Sequence, residues 1–271
     1  KPQAPPPESQ STLGFVAEWL GISSPKPRES TAKLPLYGDG DKSIFIHMPS
    51  ALAYPMANEK YTWLYESEPE PFMNQRRIHC PRGRVIGGSS SINGMVYIRG
   101  HSQDYDGWAS RAGLENWTYA DCLPYFRKAE TRAKGGDLYR GDSGPLHVST
   151  GACRNPLYNA FIEAGKQAGY SYTEDMNGYQ QEGLGPMDMT VHKGRRWSTA
   201  MAYLRPALTR KNLKLQTRSL VTHVMFEGPA GAPHAVGVEV SHGGQLQQLR
   251  ATSEVILSGG AINSPQLLQL S

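Results

Sequence analysis

Residues 81 to 100 read PRGRVIGGSSSINGMVYIRG, and their types suit a backbone built to meet a ligand. Gly87 and Gly88 remove side chains where main chain must come close to something. Ser89, Ser90 and Ser91 are good caps for a following helix, and the bare N–H groups at a helix start attract phosphate. Arg84, with Arg82 before it, supplies charge or orients the loop. Asn93 and the backbone of Gly94 and Met95 then lie ready for a planar ring, while Met95, Val96 and Ile98 form an apolar face that buries the helix or turn. Two readings fit these residues. One is a cradle for a diphosphate-bearing cofactor; the other is a Gly/Ser turn that starts a helix and binds nothing. A glycine-rich turn alone does not separate them.

The second stretch is EVILSGGAINSPQLLQLS, Glu254 to Ser271. It predicts a buried strand over Glu254 to Leu257, then the small residues Ser258, Gly259 and Gly260, then a helix from Ala261. Such a strand end is where open α/β sheets bind ligands, and an ordinary strand–turn–helix in a core has the same pattern. The eight histidines, His47, His79, His101, His147, His192, His223, His234 and His242, read as surface or capping residues. Glu66, Glu68 and Glu70 read as a solvated loop rather than a cage for a cation. Cys80, Cys122 and Cys153 form no CxxC pair and no zinc spacing, and their odd count points to a reducing compartment.

These stretches need elements to hold them. A short helix is expected over Ser50 to Ala57 and a strand in YTWLYESE. Helices are expected from Ser102 and, with Thr118 as cap, over TYADCLPYFRKAE. A strand is expected over Pro145 to Val148. A helix should begin with Asn155 as cap and Pro156 at its first position, and stop at Gly169. GLGPMDMTVHKG predicts a strand ending in a turn, and RRWSTAMAYLRPAL a helix broken at Pro206. Strands are expected from Leu213 to Phe226 with a bend near Ser219, then a hairpin around Gly243–Gly244. Helices and strands interleave without a strict βαβ rhythm, so the fold class is α/β (α+β) with mixed sheets. Residues 1–42 are Pro/Ser-rich and expected to be extended and mobile. Within them TLGFVAEWLGI is either a docking helix or an apolar patch in a linker. Residues 43–271 form the folded domain.

Composition narrows the partners. A net charge of +4 with no block of five like charges gives no nucleic-acid footprint. No apolar run reaches the ~20 residues of a transmembrane helix. A hydrophobic content of 38% supplies a thin core, which predicts an incomplete domain.

Taken together, GRVIGGSSSINGMVYIRGHSQDYD and SGGAINSPQLLQLS resemble the two signatures of the glucose–methanol–choline (GMC) oxidoreductases, FAD enzymes that oxidise alcohols to carbonyls. The resemblance runs from about Ile46 to Ser271. It includes IHMP, PRGRVIGG, RRWSTAMAYLRPAL and EVILSGGAINSPQLL, and TEDMNGYQQEGLGPMDMT with CLPYFRKAE points to the choline-oxidising branch. It implies that Arg84 to Ser90, including Gly87, Gly88 and Ser89, pass along the FAD pyrophosphate and ribityl chain. It places Asn93, Gly94 and Met95 beside the isoalloxazine. Val221 would contact the adenine through its backbone, and Ser258, Gly259, Gly260 and Ala261 would lie near the adenosine and diphosphate. Ile92 stands where some relatives carry a flavin-tethering His, so the FAD is expected to be non-covalent. The implied substrate is choline, the product betaine aldehyde, the electron acceptor the quinone pool, and the location mitochondrial, at the inner membrane or in the matrix. The GxGxxG turn, the acidic residue after it and the family's catalytic His region find no match, so no residue is assigned a catalytic role. The expectation is an enzyme segment that by itself binds FAD poorly and does not turn over choline. A non-catalytic interaction protein, or an enzyme for another alcohol, are the alternatives.

Overall fold

A computed structural model describes residues 40–271. The segment 1–42, apart from its end, and the TLGFVAEWLGI helix therefore lie outside the described residues. In chain order the helices are α1 (Ile44–His47), α2 (Ala53–Ala57), α3 (Ser102–Ala109), α4 (Tyr119–Ala129), α5 (Pro156–Gln167), α6 (Arg205–Ala207) and α7 (Gly260–Gln269). The strands are β1 (Thr62–Glu66), β2 (His79–Gly83), β3 (Val96–Tyr97), β4 (Glu130–Arg132), β5 (Leu146–Thr150), β6 (Asp188–Met189), β7 (Val191–His192), β8 (Arg195–Arg196), β9 (Ser219–Glu227), β10 (His234–His242) and β11 (Gln245–Arg250). The fold thus mixes helices with sheets, as the sequence pattern predicts. No helix among the described residues is long and apolar enough to cross a membrane. The described chain divides into a larger unit, residues 40–62 and 83–215, and a smaller one, residues 63–82 and 216–271.

In the larger unit a four-stranded sheet runs in the order β3-β6-β5-β4. The β3/β6 and β6/β5 pairs are antiparallel and β5/β4 is parallel. The helices around it start where their caps dictate. The Thr118 side chain accepts from the Asp121 amide while Asp121 reaches back, a capping box that opens α4. Asn155 accepts from the Leu157 amide, Pro156 fills the first position of α5, and Gly169 follows its end at φ 86°. The apolar core is small: Ile46, Tyr61 and Ile92, with Met56 and Val85 against them.

Met95, Val148, Ala200 and Ala202 are buried as well, and much of the remaining interior is charged. Glu130 and Arg140 are both fully buried. The Glu130 carboxylate accepts from Arg99 Nη2 at 2.5 Å, Arg140 Nε at 3.0 Å and the Gly141 amide at 2.9 Å. Arg140 donates onward to Asp175 at 2.5 Å and Asp188 at 2.7 Å, and Arg132 Nη2 lies 3.1 Å from Asp175. Three arginines therefore meet three carboxylates. Burial alone would lower the Arg140 pKa, but its bonds to Glu130, Asp188 and Asp175 outweigh that and raise it. Asn177, 1% exposed, ties the cluster to β3: its Oδ1 accepts from the Arg99 amide and its Nδ2 donates to the Tyr97 carbonyl.

The smaller unit holds the β1–β2 pair, apart from its end residues, and the antiparallel sheet β11-β10-β9. Gly243 and Gly244, at φ 60° and 82°, close the β10–β11 hairpin as expected, because only glycine enters both left-handed positions freely. α7 ends against β9, where Ser271 Oγ accepts from the Val224 amide. Leu246, Leu249 and Phe226 stay exposed.

Several elements depart from the sequence expectation. The helix over Ser50 to Ala57 is split into a 3₁₀ turn, Pro49–Ala51, and α2. GLGPMDMTVHKG gives two strands, β6 and β7. The turn of Lys193 (φ 49°) and Gly194 (φ 74°) then returns the chain as β8, so Arg195 and Arg196 are strand residues rather than helical ones. The helix that follows is a π-turn, Ala200–Leu204, running into α6 through Pro206. No strand covers Leu213 to Arg218, and Glu254 to Leu257 is neither paired nor buried: Ile256 is 76% exposed. A strand needs a hydrogen-bonded neighbour, and among the described residues Glu254–Leu257 has none.

His147 and His192 stack with ring centroids 3.9 Å apart, and Trp197 meets both edge-on. Burial, then the charges of His147 and Lys193, lower the His192 pKa below 6.5. Between the lowered folded value and the unfolded value the unfolded chain binds more protons. Stability should therefore be constant above about pH 6.5 and fall as the pH drops below it. Thermal melts from pH 7.5 to 5 should show this slope, and His192→Phe, which keeps the stack without the titration, should flatten it. An equal slope in both proteins contradicts the assignment.

Candidate functional site

The loop from Gly83 to Met95 is held by its own side chains. Its serines turn inward. Ser89 Oγ accepts from the Gly83 amide at 3.1 Å, Ser90 Oγ donates to the Gly87 carbonyl at 2.6 Å, and Ser91 Oγ donates to the Ile86 carbonyl at 2.7 Å. Glycine is required where the strands of the loop touch. A Cβ on Gly83 would lie 2.1 Å from the Gly88 carbonyl carbon, and one on Gly87 would lie 2.5 Å from Ser91 Oγ. Gly87 and Gly88 also sit at φ 88° and 55°. The Arg84 amide donates to the Tyr61 carbonyl at 2.7 Å, which anchors the loop entrance beside the apolar core.

The expected helix does not follow. Gly88–Ser91 is a single 3₁₀ turn that ends at Ile92, because the next residues are turned aside. Met95 takes the left-handed conformation, φ 63°, while 1% exposed. A non-glycine residue held there stores strain and persists only where its surroundings fix it. Here Asn93 Oδ1 accepts from the Met95 amide, and the Met95 carbonyl accepts from the Thr190 amide and hydroxyl. The attraction of an α-helix dipole for phosphate is thus not available at this loop. What remains is the head of that short turn: the Ser89 amide has no acceptor among the described residues, whereas the Ser90 amide is taken up in the 3₁₀ turn. A Cβ on Gly88 or Gly94 would meet no protein atom within 4 Å.

The apolar face is also divided differently. Met95 is buried, but Val96 and Ile98 are 46% and 61% exposed, whereas Arg99 between Ile98 and Gly100 is buried. Ser89, Asn93 and Gly94 are also exposed. The larger unit therefore offers open backbone at Gly88 and Ser89, an amide side chain at Asn93, a bare glycine at Gly94 and apolar side chains at Val96 and Ile98. That set suits a ligand with an anionic linker and a flat, largely apolar ring. Ile92, 3% exposed, points into the core with Ile46 and Tyr61.

In the smaller unit Val221 lies in β9, half-buried and paired with Val240. Ser258, Gly259, Gly260 and Ala261 are exposed, and the Gly259 amide donates to Ser264 Oγ at the head of α7. Among the histidines, His101 caps α3 by accepting from the Gln103 amide.

Two residues of RRWSTA grip the loop from a distance. Thr199 donates its amide to Ser90 Oγ at 3.0 Å and its hydroxyl to the Gly87 carbonyl at 3.3 Å. Arg196, fully buried, donates Nε to the Ile46 carbonyl at 2.8 Å. Its Nη1 donates to the Asn93 carbonyl at 2.6 Å, Asn93 Oδ1 at 2.8 Å and the Ser90 carbonyl at 3.2 Å. Sequence reasoning assigned neither residue a role. The one signal was that a second arginine beside a Trp-Ser-Thr run is an odd start for a helix.

The profile of the GMC oxidoreductases matches residues 15–271. The chain is 58% identical over 226 residues to the mitochondrial choline dehydrogenase of Mus musculus, covering 83% of this chain and 37% of that protein. It is 55% identical over 236 residues to the oxygen-dependent choline dehydrogenase of Photobacterium profundum, covering 86% and 41%. Its fold is similar to pyridoxine 4-oxidase from Mesorbium loti, with a TM-score of 0.79, 33% identity and coverage of 86% and 45%. It is likewise similar to an FAD-dependent oxidoreductase from Chaetomium thermophilum, with a TM-score of 0.76, 26% identity and coverage of 87% and 42%. The chain thus spans 37% to 45% of the length of these proteins.

Proposed function

Since the chain belongs to the GMC oxidoreductases, we propose that the protein carrying it is an FAD-dependent choline dehydrogenase whose flavin rests on the Gly87–Met95 loop. The observation that carries the reading is the loop itself: its serines are spent on its own backbone, while the Gly88 and Gly94 faces and the Ser89 amide are left open. Bound FAD supplies the two-electron acceptor for oxidation of an alcohol to a carbonyl. The chain's own residues bind and orient it. The Ser89 amide and the bare Gly88 backbone meet the diphosphate, with Arg84 at the entrance. Asn93, Gly94 and Met95 line the ring, and the strained Met95 backbone fixes their direction. Val221 and Ser258 to Ala261 are proposed for the adenosine side. Binding is non-covalent, since Ile92 is packed into the core and offers no nucleophile.

Choline is favoured as the substrate, and betaine aldehyde as the product, because relatives at 58% and 55% identity are named for choline. The mouse relative's name supports a mitochondrial location, and the bacterial relative's name marks oxygen as the competing acceptor to the quinone pool. The 271-residue chain alone is proposed to hold FAD weakly and not to turn over choline, since it spans 37% of its mouse relative.

Flavin absorbance and alcohol oxidation should be compared for the chain alone and for the protein expressed from the full transcript that carries it. The longer protein should be yellow, with near-stoichiometric FAD, and should oxidise choline with a quinone analogue faster than aryl or sugar alcohols. Absence of flavin from the longer protein overturns the flavoenzyme reading, and stoichiometric flavin in the short chain overturns the claim of weak binding. A preference for another alcohol overturns the substrate.

A further inference from the structure

The larger unit treats its buried arginines in two ways. Arg99, Arg132 and Arg140 are matched by Glu130, Asp175 and Asp188. Arg196 is as buried as Arg140, yet it has no carboxylate partner among the described residues. Its Nη1 and Nε are spent on main-chain carbonyls and Asn93, and its Nη2 is buried with no acceptor among the described residues. A buried charge costs free energy unless it is paired. Burial alone accordingly pulls the Arg196 pKa down to about 10. Carbonyl dipoles offset part of the charge, and Nη1 holds the guanidinium against the Ser90 and Asn93 carbonyls of the loop.

We propose that Arg196 is a positioning residue for the cofactor: its guanidinium fork locks the Ser90–Asn93 backbone, and its unbalanced charge favours the reduced, more negative form of the flavin on that loop. The inference rests on the flavoenzyme reading. With FAD bound, a hydride passing from the alcohol carbon to the flavin would add one negative charge there, the hydroxyl proton going to a base and on to solvent as the carbonyl forms. A fixed cation in a dry site acts strongly on charge that develops nearby. Thr199 and the serine bonds hold the loop from the other side, so the fork and the charge are separable by substitution.

The test uses the protein from the full transcript and reads FAD affinity by fluorescence and the two-electron flavin potential by dye equilibration. Arg196→Met should weaken FAD at least tenfold and make reduction at least tenfold less favourable, about 30 mV lower for a two-electron couple. Arg196→Lys keeps the charge but not the fork, so FAD should weaken at least threefold while the potential stays near the unsubstituted value. An unchanged potential in Arg196→Met overturns the inference while leaving the flavoenzyme reading intact. If Arg196→Met does not fold, Arg196→Lys decides: an unchanged affinity or a lowered potential overturns it. An unsubstituted protein without flavin overturns both.

Discussion

Arg140→Ala should unfold the larger unit at temperatures where the unsubstituted protein is fully native. The substitution leaves Glu130 and Asp188 buried, and Asp175 nearly so, without the cation that bridges them. Removing one partner of a buried ion pair costs about 3–5 kcal/mol, a large part of the ~5–15 kcal/mol that holds a domain together. For a unit of this size that is a fall in Tm on the order of 10 °C. The loss also has a pH signature. Burial pushes the Asp175 carboxyl up, but the Asn177 amide, Arg140 and Arg132 outweigh it and hold its pKa below the usual range. A depressed carboxyl stabilises the fold above its unfolded pKa and loses that contribution as pH falls through the folded value. The unsubstituted protein should therefore weaken in acid more steeply than Arg140→Ala. A Tm change under about 2 °C, worth roughly 1 kcal/mol or less, would show that the cluster relaxes around the gap and does not organise β4, β5, β6 and the Asp175–Asn177 turn.

If the loop holds the flavin as proposed, Gly83→Ala should weaken FAD binding while the fold survives. Its Cβ would meet the backbone of Gly88 and Ser89 at 2.1 and 2.4 Å, atoms that no rotamer change can move. Overpacking of this kind costs ~1–3 kcal/mol, so FAD should bind roughly 5–150-fold more weakly if the loop conformation is what the cofactor recognises. Gly94→Ala makes the complementary case. Its Cβ meets no protein atom and its φ is not left-handed, so Tm should not change while FAD affinity falls. Both variants are read by titrating the apoprotein of the full transcript's product with FAD. Undiminished affinity in both would remove the loop from the cofactor site.

What the sequence revealed was local. Thr118 and Asn155 announce helix starts, and Gly243–Gly244 a hairpin, because a cap or a two-residue turn is decided by neighbours along the chain. The charged cluster was invisible for the opposite reason. Arg99 meets Glu130 across 31 positions and Arg140 meets Asp188 across 48, and nothing in either neighbourhood marks a buried pair. The clasp of Arg196 on Ser90 spans 106 positions. Residue types around Gly87 disclosed a backbone-rich loop, but not that its serines face inward or that Met95 is strained. Glu254 to Leu257 failed as a strand because an apolar run specifies only a willingness to pair, and its partner must come from elsewhere.

On the proposed function, the Gly87–Met95 backbone is the surface on which the flavin lies. Hydrogen–deuterium exchange of the full transcript's product, with and without FAD, addresses it directly. Protection on FAD binding is expected at the amides of residues 88–95, strongest at Ser89, whose amide has no acceptor among the described residues. Tight FAD binding with unchanged exchange across those amides would contradict the account.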